Sequence, residues 1–152
     1  MGDRSPRRRV LVVSNETVQA EILRDTIAAH GHAIEALVVA PALNRRLRHW
    51  TSDEDRARRE AGARLAGCLA TLTDAGVPVD GWVGDADPLL AIADALAVFP
   101  ADELLIATHP EERSNWLAHD LVARACARFS LPVVHLVVED VGVRVRVPAA
   151  AA

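Results

Sequence analysis

Eight consecutive positions, Thr108-His109-Pro110-Glu111-Glu112-Arg113-Ser114-Asn115, gather most of the groups in this chain that could do chemistry together. The Arg113 guanidinium has the geometry to hold a carboxylate or phosphate, and the Ser114 hydroxyl can donate beside it. A helical pattern opens near Asn115, and a helix start adds unpaired N–H groups that favour an anion. The same residues also suit a plain role, with Ser114 or Asn115 capping the helix and Arg113 in solvent. His109 is the side-chain type that moves protons near neutral pH, so it is the acid or base if the protein is an enzyme. No Ser or Cys nucleophile adjoins it, and no other catalytic residue is assigned. His109, Glu111, His119 and Asp120 fit no strong zinc spacing, so no metal site is assigned either.

These groups follow a short apolar run, Leu104-Leu105-Ile106-Ala107, which reads as a buried strand ending at Thr108. Just past the carboxyl end of such a strand is where open parallel sheets bind ligands. Asn15, Glu16 and Thr17 leave the first strand in the same manner and join the candidate set. Asn15 could read a ligand amide or hydroxyl, or hold the turn into the next helix. Secondary candidates are Val39 at the end of the second strand, Arg45 and Arg46 in a basic loop with His49 and Trp50, Asp85 after the third strand, and Asp120. Asp87, followed by Pro88, reads as a helix cap.

The elements that must position these groups alternate between strand and helix, which argues for an α/β fold with a parallel sheet. Strands are expected at Val10–Ser14, Ile34–Val39, Val77–Val83, Leu104–Thr108 and Val133–Val138. Helical spacing is read over Thr17–His30, from a capping box at Ser52 and Asp55 to Gly76, from Pro88 onward, and over Asn115–Phe129. Strand five is apolar on both faces. Val141–Val147 then alternates as VGVRVRV, either a further edge strand or part of a subunit contact. Residues 1–9 read as a flexible basic tail, 10–138 as the domain and 139–152 as a C-terminal segment.

Composition narrows the function. At 152 residues the chain fits one domain. All 17 basic residues are arginine. Without lysine there is no Walker-type phosphate lysine, Schiff base or receiver-domain lysine. The net charge is -4, and four of the arginines sit in the first nine residues, so the body is more acidic still. That balance argues against nucleic-acid binding. No apolar run reaches membrane-helix length and no signal-peptide pattern is present, giving the expectation of a cytoplasmic protein without a membrane partner. Cys68 and Cys126 fall in helical apolar patterns and suggest no disulfide.

Three segments resemble the universal stress protein family: VLVVSNET at 10–17, Gly84-Asp85-Ala86-Asp87-Pro88, and LLIATHPEERSNWLAHDLVARACARFSLPVVHLVV at 104–138. The resemblance implies a three-layer fold, a five-stranded parallel sheet in order 3-2-1-4-5 with helices on both faces. It also implies a stress-response role and an adenine nucleotide as the ligand many members bind. Strand one would then lie beside strand four, bringing Asn15 towards Thr108. The nucleotide-binding members carry a G-x2-G-x9-G-[ST] loop, whose glycines let the backbone approach phosphate. Here Ala107 and Pro110 stand where the first two glycines would fall, and His119 and Asp120 replace the final glycine and hydroxyl. Asn15 stands in place of the acidic residue that contacts the nucleoside in those members. Weak or absent ATP binding is the expectation.

The resulting reading is a small-ligand-binding or regulatory module for an anionic or nucleotide-like ligand. The alternatives are an enzyme using His109, or a dimeric scaffold with a vestigial pocket. A homodimer is expected along strand five and Val141–Val147, because an apolar edge strand must be covered.

Overall fold

The computed structural model describes residues 7–14, 34–41, 51–108, 116–139 and 142–146. Its strands are β1 (Arg8–Ser14), β2 (Ile34–Pro41), β3 (Val79–Gly84), β4 (Glu103–Thr108), β5 (Val133–Glu139) and β6 (Gly142–Arg146). Its described helices are α1 (Thr51–Asp74), α2 (Pro88–Val98) and α3 (Trp116–Arg128). One sheet contains all six strands in the order β3-β2-β1-β4-β5-β6. The first five are parallel, in the expected order 3-2-1-4-5, and β6 adds antiparallel to β5. The helix expected over Thr17–His30 lies outside the described residues.

Both faces of the sheet are covered, which is why its central strands read as nearly unbroken apolar runs. On one face Val10, Val12, Val38, Leu105 and Leu136 pack against Ala61, Leu65, Cys68 and Leu72 of α1. On the other, Leu11, Val13, Leu37, Val39, Leu104 and Ile106 meet Leu89, Ile92 and Ala95 of α2 and Leu121 and Ala125 of α3. The split follows from crossover handedness. The chain grows the sheet outward from β2 to β3, then reverses from β3 to β4, so right-handed connections put the helices on opposite faces.

Helix boundaries follow local chemistry. Asp87 caps α2, its Oδ1 accepting the Leu89 N–H at 3.0 Å, with Pro88 in the first turn as the sequence suggests. Past α1, Gly76 takes a positive φ of 79°, a conformation glycine adopts without steric cost. Gly84 matters for another reason. A Cβ there would meet Val39 Cγ1 at 2.8 Å and Ala91 Cβ at 2.9 Å, so its bare backbone lets α2 close onto β2.

Four expectations need correction. β1 begins at Arg8, so Arg8 and Arg9 are strand residues, not tail. They are held by groups remote in sequence: Arg8 Nη2 lies 2.8 Å from Glu103 Oε2, and the Arg9 N–H donates to Asp102 Oδ2 at 2.9 Å. Asp102 N–H returns a bond to the Arg9 carbonyl at 2.8 Å, and the Arg9 guanidinium stands over the Phe99 ring. Second, α1 begins at Thr51, which puts Ser52 inside its first turn rather than before it. Third, β5 is not the sheet edge, because the chain turns back and pairs β6 along it. The third strand also starts two residues late, at Val79, after Pro78. No helix among the described residues is long and apolar enough to cross a membrane.

Candidate functional site

The carboxyl ends of β1 and β4 meet at the point where the sheet's order reverses. β1 is followed in the chain by its neighbour β2 on one side, while β4 pairs on its other side and is followed by β5. Loops leaving two such strands diverge and open a crevice. In register, Val13 stands opposite Ile106 and Ser14 opposite Ala107, so the two strands end almost level. Ser14 and Thr108 are the terminal residues of the two strands, and both are buried at 2% exposure.

The two hydroxyl residues belong to opposite faces. Ser14 continues the alternation of Val10 and Val12 towards the α1 side. Thr108 continues that of Leu104 and Ile106 towards α2 and α3. Its Oγ1 lies 2.6 Å from His135 Nε2, across the β4–β5 pair and away from β1. His135, half-buried, stands opposite Ile106 in the register, two positions short of the Thr108–Val137 pair. The bond is therefore diagonal, within reach of a ring side chain on one sheet face.

His135 was not among the sequence candidates. Its signal was there: a single polar residue inside VVHLVV, a strand read as apolar on both faces. A half-buried polar group in such a strand needs partners, and one of them is the candidate Thr108.

Among the secondary candidates, Val39 is fully buried and its side chain is core, packed in the cluster under α2. Asp85 lies at the exit of β3, two strands away from β1. Its Oδ1 accepts the Asp87 N–H at 2.9 Å, so this carboxylate shapes the turn into α2. Asp120 is exposed in α3. Asn15, Glu16, Thr17, Arg45, Arg46, His109, Arg113, Ser114 and Asn115 lie outside the described residues. No group of three or more metal-ligating side chains occurs among the described residues.

At the opposite end of the sheet, Glu103 is a buried carboxylate that sequence reading passed over, paired with half-exposed Arg8. It ties the start of β4 to the start of β1 and lies a strand's length from Thr108. Buried Cys68 of α1 packs in the cluster between that helix and the sheet, where burial pushes its thiol above the ordinary value and the nearby Arg64 charge offsets part of that.

No protein-family model matches the chain, and no curated protein sequence matches it. Solved structures do. The chain is similar to a universal stress protein family protein from Arabidopsis thaliana with AMP bound, at 14% identity and a TM-score of 0.58, over 88% of this chain and 93% of that one. It is similar to a universal stress protein from Archaeoglobus fulgidus at 16% identity and a TM-score of 0.59, over 84% and 92%. A universal stress protein family structure from Burkholderia pseudomallei matches at 15% identity and a TM-score of 0.55, over 83% and 93%. Likeness at this identity is likeness of fold, and it covers nearly the whole of each relative: the chain has the fold of the universal stress proteins.

Proposed function

We propose that the chain is a universal-stress-protein-like binding or regulatory module, not an enzyme, with a small anionic or nucleotide-like ligand beyond the carboxyl ends of β1 and β4. The observation that carries this reading is the switch point itself, where β1 and β4 lie side by side and end level. The candidate residues follow directly in the chain: Asn15, Glu16 and Thr17 after Ser14, and His109, Arg113, Ser114 and Asn115 after Thr108. AMP bound to the similar Arabidopsis protein supports the ligand class. Ordinary ATP binding is weak in this reading, because Ala107 and Pro110 replace the glycines that admit phosphate, and proline has no N–H to offer.

The protein acts as a cytoplasmic homodimer in this account. Native mass spectrometry of freshly purified protein tests ligand and assembly together, with a retained small anion on a dimer expected. Calorimetry with Mg-ATP should show affinity weaker than low micromolar, that is, weaker than about -8 kcal/mol. Tight ATP binding would overturn that part. Arg113→Ala should lower anion affinity by roughly 1.5–3 kcal/mol, the worth of a charge-assisted hydrogen bond. Folding stability should move by only about 0.5 kcal/mol. Unchanged anion affinity in that variant would remove Arg113 from the site.

A further inference from the structure

We propose that His135 sets the hydrogen-bond polarity of Thr108, and that protonation of His135 reverses it, making anion binding beyond β4 stronger as pH falls. The inference rests on the ligand reading above and names a residue and a mode of regulation for that site.

Thr108 is 2% exposed and its hydroxyl carries a single proton. A buried hydroxyl proton without an acceptor is costly, so the 2.6 Å contact with His135 Nε2 is satisfied best by Thr108 donating and Nε2 accepting. That fixes the neutral imidazole with its proton on Nδ1. When the ring gains a second proton, Nε2 becomes a donor, and two donors cannot face each other. Thr108 must then accept from His135 and turn its own proton to another acceptor. Thr108 is the last residue of β4, and the acceptor this inference assigns to the turned hydroxyl is an anion bound beyond that strand end. In the neutral state Thr108 offers that anion only lone pairs.

Among the described residues, the groups around His135 on this face come from β4, β5, α3 and β6. β4 contributes Leu104 and Ile106, and β5 contributes Val133 and Val137. α3, packed over β5, carries half-buried Cys126, with Asp120, Arg124 and Arg128 exposed. β6 places Arg146 opposite His135 and Arg144 opposite Val137 in the register.

Two measurements on the full chain test this. Long-range ¹H–¹⁵N spectra of the imidazoles at about pH 8, well above the usual histidine range, should show neutral His135 protonated on Nδ1. Thr108→Val should relax that preference. A neutral ring protonated on Nε2 would overturn the polarity assignment. Calorimetry with AMP, comparing wild type with His135→Gln at about pH 5.5 and about pH 8, reads the consequence. Glutamine does not titrate, so whichever end of its amide faces Thr108, the polarity it sets is the same at both pH values, and the phosphate's own protonation near pH 6 affects both proteins alike. The ratio of wild-type to His135→Gln affinity for AMP should rise about fivefold from the higher to the lower pH, roughly the worth of one hydrogen bond from the turned Thr108 hydroxyl. An unchanged ratio overturns the inference while leaving the ligand site standing. AMP failing to bind wild type at either pH overturns the ligand reading, and this inference with it.

Discussion

Single residues carry two consequences beyond the binding site. Burial raises the Cys68 thiol above its ordinary value of 9.0, with Arg64 opposing in part. The unfolded chain therefore releases this proton first as pH rises. Stability from the buried thiol is complete below the unfolded value and is lost as pH climbs through the folded one. Urea unfolding between neutral and alkaline pH should show that loss, and Cys68→Ala should remove its share of the slope. In the same spirit, alkylation of native protein should label half-buried Cys126 before buried Cys68. Equal labelling rates would contradict the burial. The Arg8–Glu103 pair makes the second case. Arg8→Ala strips a buried carboxylate of an ion-pair partner. Because Arg8 is 41% exposed, the cost should fall at roughly 1–2 kcal/mol, between an exposed pair and a buried charge-assisted bond. Adding Glu103→Gln should recover part of it in a double-mutant cycle. Full additivity of the two changes would show that the residues do not act as a pair.

At the level of elements, the close approach of α2 to the sheet depends on Gly84 and on its Asp87 cap. Gly84→Ala puts a methyl within 3 Å of Val39 and Ala91, an overpacking that should cost about 1–3 kcal/mol by denaturant midpoint. Asp87→Ala should cost about 1 kcal/mol through the lost N-cap. If Gly84→Ala were neutral, α2 would have to sit farther from β2 than described. The Asp87-Pro88 start was legible in the sequence, as were the five parallel strands, because cap chemistry and apolar runs are local signals. What stayed hidden depends on partners distant along the chain. Arg8 and Arg9 read as a tail because Asp102, 93 residues from Arg9, is invisible to local pattern. His135 read as part of an apolar strand because its partner Thr108 lies 27 residues earlier. The alternation of Val141–Val147 showed a strand, but not that β5 would be the strand it covers.

For the whole molecule, the covering of β5 by β6 moves the question of assembly outward. Among the described residues the outermost strands of the sheet are β3 and β6, and an outer strand edge is a surface for pairing with another chain. A homodimer through β6 should appear in light scattering at twice the chain mass of 16.3 kDa, and Val145→Glu should weaken it. A monomer at high concentration would rule it out. The central claim, however, is that the ligand site lies at the carboxyl ends of β1 and β4 and not elsewhere on this sheet. Backbone ¹H–¹⁵N spectra of the labelled chain during AMP addition test it most directly. The account predicts shifts concentrated at Val13, Ser14, Ala107 and Thr108, with Arg8, Arg9 and Glu103 at the other end of the same strands unmoved. Shifts centred on the Arg8–Glu103 end, or none at all at millimolar AMP, ~-4 kcal/mol, would contradict it.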